Sequence, residues 1–138
     1  MDEENCIFCQ IINGDLPCYK VYEDNETLAF LDISPVNPGH CLVIPKSHFV
    51  NVFSAPAEDW CRLALTTQKI ALAVKHACDA DGINIHINNE EAAGQKVFHS
   101  HVHIIPRFSN DNLTLWEGKN LPTEEMIDIS KKIELALE

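Results

Sequence analysis

The sequence predicts an α+β domain, with short strands laid antiparallel and one long helix between them. Three observations predict it. Short strand-like runs lie before residue 46 and after residue 82. Between them, apolar residues from Trp60 to Val74 recur at helical spacing. No strand–helix–strand alternation repeats along the chain, so a parallel sheet is not expected.

The elements follow in order. Ile7, Phe8, Ile11 and Ile12 recur at helical spacing over Cys6 to Asn13, with Asn5 as the expected N-cap and Gly14 where the helix stops. At about 100° per residue, Cys6 and Cys9 fall on one side of this helix and the four apolar residues on the other. Strand-like runs follow at Tyr19–Glu23, Thr27–Ile33 and Cys41–Pro45. Asp24-Asn25 makes a hairpin turn between the first two, and Ser34–Gly39 is a loop rich in breakers. Ser54 is the expected cap of a helix from about Pro56 to Cys78, striped by Trp60, Leu63, Ala64, Ile70, Ala71 and Val74. Ile83 to Asn88 alternates strictly, which predicts a half-buried strand. A polar loop, Asn89–Gln95, leads to a further strand over Val97 to Arg107. The tail, Thr123–Leu137, reads as an amphipathic helix with Met126, Ile129, Ile133 and Leu137 on one side.

A chain of 138 residues is expected to form a single domain, here taken as 1–138. No apolar run approaches the ~20 residues of a membrane span. The acidic start, Met1-Asp2-Glu3-Glu4-Asn5, has neither the basic nor the apolar character of a secretory signal, so a cytoplasmic location is expected. Ten basic against 21 acidic residues give a net charge of −11, which repels nucleic-acid polymers and anionic membranes. A small anionic ligand remains compatible with this charge if its pocket is locally neutral or positive, and the seven His are the groups suited to build one. The six Cys are too scattered for a disulfide framework and are expected as thiols, with Cys6-x-x-Cys9 the one suggestive pair.

His99-Ser100-His101-Val102-His103 is the most informative stretch. On an extended strand the three imidazoles share a face, successive ones roughly 7 Å apart and the outer two roughly 13 Å apart. One metal ion, with bonds of about 2.0–2.1 Å, cannot hold all three. His101, flanked by the other two, is the natural reactive centre. Neutral imidazole attacks phosphorus well, the phospho-imidazolium leaves easily, and a neighbouring His can steady phosphate charge or handle protons. A metal site at His99 with ligands from outside the run is compatible with chemistry at His101.

At these residues the chain resembles the histidine-triad nucleotide hydrolases and transferases. The resemblance is carried by Gly94 to Ile105, and upstream by Phe30 to Pro35 and Pro38 to His48, two blocks in the family's order. It spans roughly residues 5 to 116 and leans toward the branch with a Cys-x-x-Cys pair on its N-terminal helix. It implies a five-stranded antiparallel sheet with a short N-terminal helix, two protomers joining into one ten-stranded sheet, and a nucleotidyl–His intermediate. It implies His101 as nucleophile, with His103 and His40 beside the phosphate. It also implies Asp32 as acceptor for the ribose hydroxyls, and Asn88 and Gln95 near the α-phosphate and leaving group. Phe8, Ile11 and Ile33 match an apolar slot for a purine base, although core packing accounts equally for that apolar face. Two positions depart from the family pattern: Ser100 replaces an apolar residue on the face away from the His, and Lys96 stands where many phosphoramidate-cleaving relatives carry Ser or Thr.

Cys6 and Cys9 on one helical side can converge on a single ion. The resemblance supplies the remaining ligands, His48 and His99, and implies a structural zinc held by all four. The function expected is hydrolysis or nucleotidyl transfer at the α-phosphorus of adenosine phosphoramidates or dinucleoside polyphosphates. Two alternatives stand beside it: a purine-nucleotide-binding regulatory or scaffold protein with vestigial hydrolysis, and a zinc-dependent hydrolase with an open metal position. By analogy, Trp116 reaches toward a partner's site in a homodimer.

Overall fold

The computed structural model describes residues 3–137. The chain runs α1 (Ile7–Ile12), β1 (Lys20–Glu23), β2 (Thr27–Leu31), β3 (Cys41–Pro45), α2 (Ala57–Ala77), β4 (Gly82–His86), β5 (Val102–Arg107) and α3 (Thr123–Ala136), with single 3-10 turns at Val52–Ser54 and Glu91–Ala93. The five strands form one sheet in the order β1-β2-β3-β5-β4, every neighbouring pair antiparallel. This is the α+β class expected. Among the described residues, no helix is long and apolar enough to cross a membrane.

Both faces of the central strands are covered. On one face Ala29, Cys41, Val43, Val102 and Ile104 pack with Leu63, Ile70 and Val74 of α2. On the other, Leu28, Phe30, Leu42 and Ile44 pack with Cys6 and Phe8 from the start of the chain. All of β3 is therefore buried. Alternation along β5 sends Val102 and Ile104 toward α2, so the side chain of His103 emerges on the α1 face. The hairpin between β1 and β2 closes on Asp24, whose Oδ1 accepts from the amides of Glu26 and Thr27 at 2.8 and 2.7 Å.

Several local expectations are corrected. The N-cap of α1 is Cys6 rather than Asn5; its sulfur accepts the Cys9 amide at 3.4 Å, a contact open to a thiol that faces back along the helix. Ser54 does not cap α2. Its hydroxyl donates to the Asn51 carbonyl within the preceding 3-10 turn, and α2 begins after Pro56 without a side-chain cap. In α2, Ala64 is exposed, and Thr66 and Thr67 are buried instead, their hydroxyls satisfied by Thr27 and by the Leu63 carbonyl. β4 ends at His86 and is the outer strand of the sheet, so Ile85 stays half exposed. β5 starts at Val102, five residues later than expected. The Met126, Ile129, Ile133 and Leu137 stripe is exposed, as is the rest of α3.

Gly39 sits at φ +100, and a Cβ there would run into Cys78 Sγ and lie 3.4 Å from the Pro106 ring. The loop between β2 and β3, which carries His40 into the site, thus depends on this glycine. Gly39→Ala is expected to destabilise the protein by about 2 kcal/mol through strain and overpacking together. Thermal unfolding followed by circular dichroism checks this; an unchanged midpoint would show that the loop relaxes freely.

Candidate active site

The backbone from Phe98 to His101 is not strand, and this irregular approach separates the three imidazoles. They do not share one strand face. His99 is fully buried and turns toward the N-terminal helix, while His101 and His103 line a cavity. The rings of His101 and His103 are 5.0 Å apart, closer than the extended-strand spacing predicts. Phe8 presents its edge to both His101 and His99, at 5.1 and 5.9 Å between ring centres.

Hydrogen bonds to carbonyls assign the protons, because a carbonyl can only accept. Nδ1 of His101 donates to the His99 carbonyl at 2.7 Å, so Nε2 of neutral His101 keeps the lone pair. Nε2 of His99 donates to the Pro45 carbonyl at 2.8 Å, so its Nδ1 keeps the lone pair. Nδ1 of His40 accepts from the Val36 amide at 3.1 Å, which places the His40 proton on Nε2. That N–H lies 3.0 Å from His103 Nδ1 and 3.6 Å from Asp32 Oδ2. Asp32, His40 and His103 are grouped closely enough to suit a metal ion. The proton on His40 Nε2 instead makes His40 the donor to His103, with the Asp32 carboxylate beside that bond.

Burial lowers all three site imidazoles below their ordinary value. For His101 it outweighs the opposing hydrogen bond to His99 and the charge of Asp32. For His40 it outweighs the opposing charge of Asp32. For His103 burial acts together with His101, His86 and His40 and takes it down to about 4. Near neutral pH the site therefore presents neutral imidazoles, the form in which Nε2 of His101 is nucleophilic.

The cavity has a volume of about 630 Å³. Phe8, Ile11 and Ile33 line it with Phe30 and Leu42, as do Asp32, His40, Asn88 and Lys96. Ile33 is 85% exposed at its rim. Asp32 is held by the Ser34 amide, which donates to Oδ1 at 2.8 Å. Gln95 is the exception among the expected ligand-facing residues. Its side chain is buried and donates to the carbonyls of Val50 and Val97, while Oε1 accepts from the Glu90 amide at 2.7 Å. With its donors spent on backbone, it fixes the loop that carries Lys96 and does not line the cavity.

His86 was not singled out by the sequence. It pairs across the sheet with His103 and stacks on it, with ring centres 4.8 Å apart and planes at 30°. Its only trace in the sequence is its place in the alternating Ile83–Asn88 run, which says nothing of the strand that faces it. Ser100, which departs from the family pattern, is buried, and its hydroxyl has no hydrogen-bond partner among the described residues.

A second group adjoins the site. Donor atoms of Cys6, Cys9, His48 and His99 all lie within 4.8 Å of one another. His99 Nδ1 is 3.4 Å from Cys6 Sγ, 3.5 Å from Cys9 Sγ and 3.1 Å from His48 Nδ1, and Cys9 Sγ is 3.3 Å from His48 Nδ1. A tetrahedral zinc ion, with bonds of about 2.3 Å to sulfur and 2.0–2.1 Å to nitrogen, sets its donors about 3.3–3.8 Å apart. The Pro45 carbonyl orients His99 as such ligands are usually oriented. Burial and the neighbouring Cys6 push the Cys9 thiol up to about 12, so thiolate here calls for a cation to share its charge.

The chain belongs to the HIT domain family, whose model matches residues 13–110. It is 53% identical over 105 residues to "Protein hit" of Bacillus subtilis, covering 76% of this chain and 72% of that one. It is 40% identical over 119 residues to "Adenylylsulfatase HINT3" of Arabidopsis thaliana, covering 86% of this chain and 59% of that longer protein. The fold matches the crystal structure of SMU.412c from Streptococcus mutans with a TM-score of 0.93 and 44% identity, over 97% of this chain and 86% of the other. It also matches a Zn-bound histidine triad family protein from Mycobacterium smegmatis, with a TM-score of 0.78 and 42% identity, over 86% of each chain.

Because folded His103 refuses a proton until about pH 4, the unfolded chain binds more protons between there and about 6.5. This contribution to stability is complete above about pH 6.5 and is lost as the pH falls toward 4. The urea midpoint is expected to drop across that window, and His103→Asn to flatten the drop. Parallel pH profiles for the two proteins would contradict the assignment.

Proposed function

We propose that the protein is a nucleotide hydrolase or nucleotidyl transferase that cleaves at the α-phosphorus of adenosine phosphoramidates or dinucleoside polyphosphates through a nucleotidyl–His101 intermediate. The observation that carries this is the 2.7 Å bond from His101 Nδ1 to the His99 carbonyl, which leaves the Nε2 lone pair on a residue lining the cavity. The purine base occupies the slot formed by Phe8, Ile11 and Ile33, and Asp32 accepts from the ribose hydroxyls. His103, His40 and Asn88 surround the α-phosphate. Nε2 of His101 attacks phosphorus and the bond to the leaving group breaks. Water then attacks the adduct, the P–N bond to His101 breaks, and a nucleoside monophosphate and a proton are released. Gln95 acts through the loop it anchors rather than by touching the nucleotide. The name of the Arabidopsis relative, an adenylylsulfatase, supports an adenylyl substrate class.

Cys6, Cys9, His48 and His99 hold a structural zinc, a reading supported by the spacing of their donor atoms and by the Zn-bound relative. Zinc there would tie α1 to the segment that leads into His101 and offer no open position for catalysis. Two copies join through β4, an outer strand beside which Ile85, Leu115 and Trp116 are exposed, to form a ten-stranded sheet with Trp116 directed to the partner's site. The chain acts as one domain, with a core over about 5–116 and an extension over about 123–137, and its free thiols suit the cytoplasm.

His101→Asn is expected to keep the fold and lower turnover of adenosine 5′-phosphoramidate and diadenosine polyphosphates by at least about a thousandfold. Rapid acid quench should trap a nucleotidyl–protein adduct with the wild-type chain and none with the variant. A protein that only binds nucleotide forms no adduct at all, and wild-type turnover in His101→Asn would refute the nucleophile assignment.

Protein purified without a His tag from zinc-supplemented cells is expected to carry about one zinc per chain by mass spectrometry. Cys9→Ser should lower that content. Less than about a tenth of an equivalent in the wild type would remove the metal from the account.

A further inference from the structure

Seven Lys and Arg residues lie within 13–110. Lys20, Lys46, Arg62 and Arg107 are ion-paired with carboxylates. Lys69 donates to Tyr22 and Lys75 to the Ala80 carbonyl. Among the described residues of that span, Lys96 is the one cation without such a partner. Among the described residues outside that span, Lys119, Lys131 and Lys132 also stand without an ion pair, but none of them lines the cavity. Lys96 is the one Lys or Arg that lines the cavity of His101 and His103. Its backbone is not free to wander, because Gln95 is bonded to Val50, Val97 and Glu90, and Gly94 turns the chain at φ +96. Asp32 contributes a negative charge to the same cavity, and Lys96 stands there as the one ammonium or guanidinium group.

We propose that Lys96 is a specificity-determining residue that stabilises an anionic leaving group, phosphate or sulfate, and so turns the site toward mixed anhydrides of a nucleoside monophosphate and away from phosphoramidates. This rests on the proposed nucleotidyl–His101 chemistry. With an anhydride, Nε2 of His101 bonds to phosphorus and the bridging P–O bond breaks. The electron pair leaves on the oxygen of phosphate or sulfate, and no proton is needed. The ammonium of Lys96 offsets the charge that gathers on that oxygen. With a phosphoramidate the P–N bond breaks and the departing nitrogen must take up a proton. That proton comes from solvent, and an adjacent ammonium has no charge to offset on a leaving group that departs neutral or cationic.

The test uses the full chain with three substrates: adenosine 5′-phosphosulfate, a diadenosine polyphosphate and adenosine 5′-phosphoramidate. Lys96→Met is expected to lower kcat/KM for the two anhydrides by at least about tenfold, the loss of one charge-assisted contact, and to leave the phosphoramidate within about twofold. Lys96→Arg should restore the anhydride activity. A fall confined to one anhydride tells which leaving group Lys96 serves. Equal changes for all three substrates, or no change for any, would overturn the proposal. Wild-type chain that traps an adduct while Lys96→Met leaves substrate preference unaltered refutes the role of Lys96 alone. Wild-type chain that forms no adduct from any substrate refutes the underlying nucleotidyl chemistry and this inference with it.

Discussion

The carbonyl of His99 accepts the Nδ1 proton of His101, and much of the site depends on that one bond. It selects the tautomer whose Nε2 lone pair is free, and it ties the His101 ring to a backbone that is itself fastened. The His99 peptide is itself held from both sides. The His99 side chain donates to Pro45 at the end of β3, and the following amide, of Ser100, donates to the Phe49 carbonyl. The strand entry at residues 98–101 is thus fastened to the segment after β3 rather than to a neighbouring strand, which is why β5 begins only at Val102. A regular strand would leave His99 facing the cavity. The bend sends it to the thiols of Cys6 and Cys9, and one run of histidines divides between that group and the cavity.

Packing and electrostatics act together here. Phe8 belongs to the cluster under α1, and its edge meets the rings of both His99 and His101. Covering these rings removes water, and water is what stabilises an imidazolium. The neutral state of the site is therefore a consequence of the same apolar burial that holds α1 to the sheet. His86, stacked on His103 from the outer strand, adds a further group whose charge would oppose protonation of its neighbour. Without these enclosing layers the imidazoles would titrate in their ordinary range, near 6.5.

The hydrogen bonds from Val36 to His40 and from His40 to His103 show how loop geometry sets the proton positions of the site. Val36 stands in the breaker-rich loop, and its amide determines which nitrogen of His40 bears hydrogen. Gly39 permits the turn that brings His40 under the sheet, close against Cys78. Gln95 plays a comparable part on the opposite wall, where its amide group fastens the loop of Lys96 to Val50. Such residues lie in or beside the motifs and hold backbone around the cavity; the contact role that the family resemblance implies for Gln95 follows its place in the motif, not its hydrogen bonds.

The α+β class, the strands and the long helix were legible in the linear chain, because side-chain periodicity and breaker residues act over a few positions. The two blocks of family residues were legible too, since their order and identity do not depend on contacts. What only the tertiary structure decided were relations between distant residues: the turning of His99 away from the row, the stacking of His86 on His103, and the replacement of Ala64 by Thr66 and Thr67 in the buried face of α2. The N-cap by Cys6 and the spent hydrogen bonds of Gln95 belong with them, because each reflects competition among partners that meet only in the folded chain. Proton positions come last in this order: they follow from which carbonyl or amide each ring nitrogen meets, and strand register and loop closure set those meetings.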